Sequence, residues 1–270
     1  MTMKIGVIQF EPLFGEVDRN LEVARGLIMQ SGAQLLVLPE LFNTGYVFTS
    51  RQEAVSLSEE IPHGKTTRML CDVAKAKGVV IAGGLVERCG DGIFNSSVLV
   101  SPDGYVGRYR KVHLFFEETL WFDPGDEGFN VYDTGVCKAG IMICFDWFFP
   151  ESMRTLSLMG ADIICHPANL VMPFCQDAMR TRCLENHVYA ITANRTGTES
   201  RGGESLHFTG ASQITGPDGR VLFRAGEDSQ EAGTAEMDVK LARNKELNEY
   251  NNLFADRRPE FYRGITGSGR

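Results

Sequence analysis

Three side chains suited to acyl transfer stand beside the ends of apolar runs in this chain. They are Cys144 in Ile141-Met142-Ile143-Cys144-Phe145-Asp146, Glu40 in Leu35-Leu36-Val37-Leu38-Pro39-Glu40, and Lys111 in Tyr109-Arg110-Lys111-Val112-His113. A thiol is a strong nucleophile, but with an ordinary pKa near ~8.5 it needs a base, a cation or a helix N-terminus to react at neutral pH. Pro150-Glu151 opens a helix shortly after Cys144 and can turn backbone N–H groups toward the thiol. A glutamate at a buried strand's end is partly desolvated, which strengthens it as a base. A lysine there stabilises an oxyanion and favours a neighbouring thiolate. Two histidines compete for the role of base. Strand period places His113 on the face of Lys111, His166 ends another apolar run, and Cys–His is a common nucleophile–base pair. Each of these residues also has an ordinary structural use, as a small buried hydrophobe, a cap, a solvated strand end or a satisfied core histidine. Glu117 and Glu118 follow among Phe115, Phe116, Trp121 and Phe122, in a loop that suits a pocket mouth or plain solvent.

Such groups act together only if the fold gathers the strand ends. The apolar pattern predicts strands over 4–10, 34–38 and 78–86 and helices over 17–30 and about 66–76. A hairpin then runs from Ser97 to Lys111 around Ser101-Pro102-Asp103-Gly104. The pattern repeats with a strand over 138–144, a helix over 150–159, a strand over 161–166 stopped by Pro167, a helix over 177–187 and a strand over 188–193. A second hairpin follows around Gly216-Pro217-Asp218-Gly219, and a last strand covers 234–239. Alternating strands and helices in two similar halves predict an α/β protein with two facing sheets and helices outside. No Gly-, Pro- or Ser-rich linker parts the halves, so one domain is expected over 1–270. The tail, 241–270, is expected to be extended, to need a further surface such as a partner subunit, and to be mobile from 264 onward.

Composition narrows the class. At 270 residues, with 43% hydrophobic and 23% charged residues, the chain can bury a large core. A net charge of -8 argues against a nucleic-acid partner. No apolar run reaches the length of a membrane span, and Met1-Thr2-Met3-Lys4-Ile5 runs directly into strand-like sequence without a signal-peptide pattern, so a cytoplasmic location is expected. The seven cysteines are odd in number and scattered, with no Cys-x-x-Cys pair, so neither disulfides nor a zinc site is expected.

Three segments together resemble the signature segments of the nitrilase superfamily of carbon–nitrogen hydrolases, in the family's order and at similar spacing. They are Val37-Leu38-Pro39-Glu40-Leu41-Phe42-Asn43-Thr44-Gly45-Tyr46, Tyr109-Arg110-Lys111-Val112-His113-Leu114-Phe115 and Ile143-Cys144-Phe145-Asp146-Trp147-Phe148-Phe149-Pro150-Glu151. The likeness extends to His166-Pro167-Ala168-Asn169, Ala193-Asn194-Arg195-Thr196-Gly197 and Asp256-Arg257-Arg258-Pro259-Glu260-Phe261-Tyr262, and so covers about 4–262. The resemblance implies a four-layer αββα sandwich that associates into homodimers or larger homo-oligomers, with no metal or organic cofactor. It implies Glu40 as general base, Lys111 as oxyanion stabiliser, Cys144 as nucleophile and, by spacing, Glu118 rather than Glu117 as a second glutamate. The Phe145 N–H would be a further oxyanion donor, and His113 would be structural. The implied reaction is hydrolysis of a small amide through a cysteine thioester. A nitrile hydrolysed through a thioimidate, or an N-carbamoyl compound, is the alternative substrate. Tyr46, Trp121, Asn169 and Phe174 are expected to wall the pocket. A silent scaffold on the same fold and a Cys–His hydrolase are the readings from other classes.

Overall fold

Buried strands alternating with amphipathic helices build two six-stranded sheets in the computed structural model, which describes residues 2–267. The first half runs β1 (Thr2–Gln9), α1 (Val17–Gln30), β2 (Leu35–Val37), α2 (Arg51–Leu57), α3 (Lys65–Lys77), β3 (Val80–Cys89), β4 (Gly92–Ser101) and β5 (Gly104–Arg110). A connection carries α4 (Glu118–Trp121) and β6 (Val131–Asp133). The second half runs β7 (Lys138–Ile141), a 3-10 turn (Cys144–Phe148), α5 (Pro150–Leu158), β8 (Ile163–Pro167), α6 (Cys175–Asn186) and β9 (Tyr189–Ala193). The hairpins β10 (Thr198–Arg201)–β11 (Glu204–His207) and β12 (Gln213–Thr215)–β13 (Val221–Arg224) follow, and then β14 (Glu231–Asp238) and α7 (Val239–Arg243).

Period-two alternation decides the layers. Ile5, Val7, Leu35, Val37, Val80 and Ala82 share one buried cluster with Ala139, Ile141, Ile163, Cys165 and Ile191, which joins the inner faces of the two sheets. The alternate residues Leu36, Leu38, Ile81, Val98 and Val100 face outward onto Leu21, Ala24, Leu27 and Ile28 of α1 and Leu70, Val73 and Ala74 of α3. On the other side α5 and α6 bury Met153, Leu156, Met179 and Cys183. The result is an αββα sandwich.

The sheet orders are β14-β1-β2-β3-β4-β5 and β6-β7-β8-β9-β12-β13. β6 forms a short hairpin with the neighbouring β7, Val131 facing Gly140 and Asp133 facing Lys138, whereas β14 leaves the second half to lie antiparallel to β1 at the edge of the first sheet. Periodicity cannot announce the β1–β14 pairing, because pairing across more than 200 residues is a tertiary choice.

Several boundaries differ from the sequence reading. The strand expected over 138–144 ends at Ile141, because Cys144 starts a 3-10 turn. Pro167 sits in the last position of β8 rather than before a break, where its missing N–H does no harm. Helix α2 and the β10–β11 hairpin lie in stretches too polar to reveal themselves by pattern.

The tail is not wholly extended. Arg243 makes two 2.9 Å bonds to Asp162, and Lys245 Nζ donates to the carbonyls of Asn186 and His187 at 3.0 and 2.7 Å. Short helical turns lie at Pro259–Phe261, in the part expected to be extended, and in α8 (Arg263–Thr266), which reaches into the stretch expected to be mobile from 264; residues 268–270 of that stretch lie outside the described ones. Among the described residues no helix is long and apolar enough to cross a membrane.

Candidate active site

The ends of β2, β5 and β7 converge, and each presents one of the three residues through a tight backbone device. Glu40 follows Pro39 on a turn in which Leu41 takes a positive φ of 48°. That turn lies against Gly84 of β3 so closely that a Cβ there would stand 2.6 Å from the Glu40 Cα, which is why glycine is required. Lys111 follows β5, its N–H bonded to the Asn95 carbonyl at 2.9 Å and its own carbonyl accepting from Gly125 at 2.8 Å. Cys144 opens the 3-10 turn with a φ of 40°, a left-handed conformation that a non-glycine residue holds only when its surroundings enforce it. Asp146 supplies that enforcement. Its Oδ2 accepts from the Ile143 N–H and the Tyr109 hydroxyl, both at 2.8 Å, while His113 occupies Oδ1 at 2.7 Å.

The charged groups form one buried cluster. Lys111 Nζ lies 2.7 Å from Glu40 Oε1 and 2.7 Å from Glu118 Oε1. The Tyr46 hydroxyl donates to the same Glu118 oxygen at 2.7 Å, and Asn95 Nδ2 donates to Glu40 Oε1 at 2.7 Å. The Cys144 Sγ is 3.8 Å from the Asn169 carbonyl.

Burial acts on each member differently. It pulls Lys111 down, but Glu118 and Glu40 outweigh it and hold the ammonium above its ordinary value. Burial pushes Glu118 up to about 7, with Lys111 opposing and Glu40 adding to the rise. The Cys144 thiol is pushed well up by burial and by Glu40, against the pull of Lys111, so it rests protonated. A protonated thiol needs a base to react, and Glu40 Oε2 is a buried oxygen with no hydrogen-bond partner.

The histidines are engaged elsewhere. His113 is held by Asp146 and stacks on Phe149 with centroids 3.8 Å apart. His166 places Nε2 3.0 Å from the Cys144 carbonyl oxygen and Nδ1 3.1 Å from Thr192 Oγ1, and burial pulls it down to about 4, so the neutral ring serves the backbone rather than the sulfur.

Of the expected pocket residues, Phe145 and Asn169 line a narrow cleft at Cys144 with Phe115, Trp147, Leu170 and Met172. Tyr46 and Trp121 line a neighbouring cleft together with Glu118, Phe48 and Phe116. Phe174 stands apart. It is 59% exposed at the entry to α6 and lines neither cleft, because the loop after β8 turns it outward before the helix begins. Asn95 and Asp146 escaped the sequence reading. A polar residue inside Ile93-Phe94-Asn95-Ser96-Ser97-Val98 and an acid two residues after the cysteine were the available signals.

Comparison with known proteins bears on the family and the fold. The sequence profile of the carbon–nitrogen hydrolase family matches residues 4–246. A protein of Pyrococcus abyssi named "Nitrilase" is 51% identical over 96% of this chain and 99% of its own length. The crystal structure of a carbon–nitrogen hydrolase from Helicobacter pylori G27 superposes with a TM-score of 0.90 at 26% identity, covering 99% of each chain. An amidase from Nesterenkonia sp. AN1, in a structure where acrylamide has added to its active-site cysteine, superposes with a TM-score of 0.78 at 25% identity over 97% of this chain and 99% of that one. The chain belongs to the nitrilase superfamily of carbon–nitrogen hydrolases.

Proposed function

We propose that this protein hydrolyses a small, uncharged primary amide to acid and ammonia, with Cys144 as nucleophile, Glu40 as general base and acid, and Lys111 as oxyanion stabiliser. The observation that carries this reading is the buried Glu40–Lys111–Glu118 cluster beside a thiol that rests protonated. Glu40 Oε2 takes the thiol proton as Sγ bonds the amide carbon, and the carbonyl π pair moves onto oxygen. Lys111 Nζ and the Phe145 N–H hold that oxyanion, a contribution of about 3–4 kcal/mol per donor. The C–N bond then breaks, nitrogen takes the proton from Glu40, and ammonia leaves a thioester. Glu40 next takes a proton from water. The hydroxide bonds the thioester carbon, C–S breaks, and the proton returns to sulfur. Glu118 orients the lysine through the bond it accepts from Nζ, and Tyr46 holds Glu118 by donating to the same oxygen.

The cleft at Cys144 supports an uncharged acyl group, since its lining is aromatic and aliphatic apart from the thiol and the Asn169 amide. An unpaired ammonium or carboxylate placed there loses hydration without gaining a partner. That favours plain amides over charged N-carbamoyl compounds. A nitrile is the second reading, favoured by the 51% identity to a protein named a nitrilase. A homo-oligomer belongs to the same proposal, since Leu158, Met159 and Leu184 leave an exposed apolar face on α5 and α6.

The test offers short aliphatic amides, the matching nitriles and N-carbamoyl amines, and measures ammonia alongside the mass of Cys144. We expect amide turnover, an acyl adduct on Cys144, and loss of roughly 10⁵–10⁶-fold in kcat for a folded Cys144→Ala enzyme. Turnover retained by Cys144→Ala overturns the scheme.

A further inference from the structure

Asn95, fully buried on β4, holds two of the proposed catalytic residues at once. Its backbone carbonyl receives the Lys111 N–H at 2.9 Å, and its side-chain Nδ2 donates to Glu40 Oε1 at 2.7 Å. Lys111 Nζ donates to that same oxygen at 2.7 Å. The two oxygens of Glu40 are thereby made unequal: Oε1 carries two donors, and Oε2 is buried and has none. The amide must present its NH₂ here, because the opposite flip would set two acceptors against each other. Among the described residues its own Oδ1 is buried without a partner, and the bond to Glu40 is the one side-chain hydrogen bond that Asn95 makes.

We infer that Asn95 is the positioning residue that makes Glu40 a directional base: with Lys111 it occupies Oε1 and leaves Oε2 as the single oxygen through which the proton passes. The inference rests on reading Glu40 as the base. Rotation of the carboxylate would exchange its oxygens and point the wrong one at the thiol; two donors on Oε1 oppose that rotation. The lock survives the proton transfer. When Oε2 carries the proton, Oε1 is the carbonyl oxygen of a neutral acid and still accepts both bonds. Donors on a carboxylate also favour its ionised form. Losing one should therefore move the acid limb of any reaction that uses this base toward higher pH.

The experiment needs no knowledge of the natural substrate. Alkylation of Cys144 by iodoacetamide requires removal of the same thiol proton, so its rate is followed against pH by mass spectrometry in the full-length protein. The enzymes compared are the wild type, Asn95→Leu (near in volume, without a donor), Asn95→Ser (a smaller donor), Asn95→Asp (near in shape, an acceptor) and Glu40→Gln, with melting temperatures alongside. For Asn95→Leu we expect alkylation about 10- to 100-fold slower at neutral pH, an acid limb higher by about one pH unit, and partial recovery in Asn95→Ser. Turnover of an accepted amide should lose kcat with little change in KM. A purely structural asparagine would lower the melting temperature and leave the acid limb where it was. Should Asn95→Leu fail to fold, Asn95→Asp decides, with a still larger upward displacement of the limb expected. Unchanged alkylation in the folded Leu or Asp variant, with Glu40→Gln slow, overturns the inference alone. Fast alkylation in Glu40→Gln overturns the reading of Glu40 itself.

Discussion

Strands β1 and β2 hold the same places in their sheet as β7 and β8 hold in theirs, yet the matching ends do unlike work. β1 ends in Gln9, a buried amide that ties Gly226, Ser229 and Ser212 together. Its counterpart β7 runs on to Cys144. After β2 comes Glu40, locked to Lys111 and Asn95, while after β8 come Ala168 and Asn169, whose side-chain amide is buried with neither polar atom bonded among the described residues. The first half thus supplies charge and the second supplies the thiol, the strained turn and an apolar cleft. Repeated topology duplicates positions without duplicating chemistry. A separation of this kind has a physical use: charges that satisfy one another stay fixed in a dry site, and the thiol beside them stays protonated until a substrate and the base act together.

The comparison breaks most severely at Lys111. Replacement by Met leaves Glu40 and Glu118 buried without their shared cation. We expect turnover to fall at least about 10²–10³-fold and stability to drop by about 3–5 kcal/mol at neutral pH. Adding Glu118→Gln should return part of that stability, as denaturant unfolding of the single and double variants will report. A Lys111→Met enzyme as stable as wild type would mean that the charge cluster is not the coupled unit described above.

A smaller effect comes from Glu118. Its carboxyl is raised from an ordinary 4.5 to about 7 in the folded state, so between those values the native protein holds a proton that the unfolded chain has lost. Its contribution to stability is therefore complete below about 4.5 and is lost as pH rises through about 7. Melting temperature against pH should lose this downward component in Glu118→Gln. His166, lowered from 6.5 to about 4, contributes in the opposite sense, its share being lost as pH falls through that window, and should still do so in the variant. An identical pH dependence in wild type and Glu118→Gln would remove Glu118 from the linkage.

The smallest effect tests the strained turn in the second half. At a φ of 40°, glycine carries no Cβ penalty where alanine does. Cys144→Gly should therefore be more stable than Cys144→Ala by about 1 kcal/mol, the reverse of the usual order. The usual order, measured by denaturant unfolding, would show that the turn imposes no strain at this residue.

Much of this was legible from local pattern. Glu40, Lys111 and Cys144 stand out because each ends an apolar run, and strand ends are where an α/β sandwich gathers its site. The layers were legible too, because period-two and period-3.6 burial are properties of neighbouring residues. Less visible were the groups defined by what touches them. Asn95 reads as one polar residue in a strand until Glu40 is set against its amide, and Asp146 reads as part of an aromatic turn until Tyr109 and His113 are brought to it. The exposed Phe174 lines neither cleft, and a loop's exit direction is not written in its residue types.

By itself, then, the amino-acid sequence determined the family, the alternating elements and the candidate groups Glu40, Lys111 and Cys144, all of which follow from residue type and short spacing. Only the tertiary structure decided that β14 joins the first sheet beside β1, that His166 serves the Cys144 carbonyl rather than its sulfur, and that one oxygen of Glu40 is tied while the other is free. Those outcomes depend on contacts between residues tens to hundreds of positions apart, where burial and hydrogen-bond direction, rather than local propensity, choose the partner.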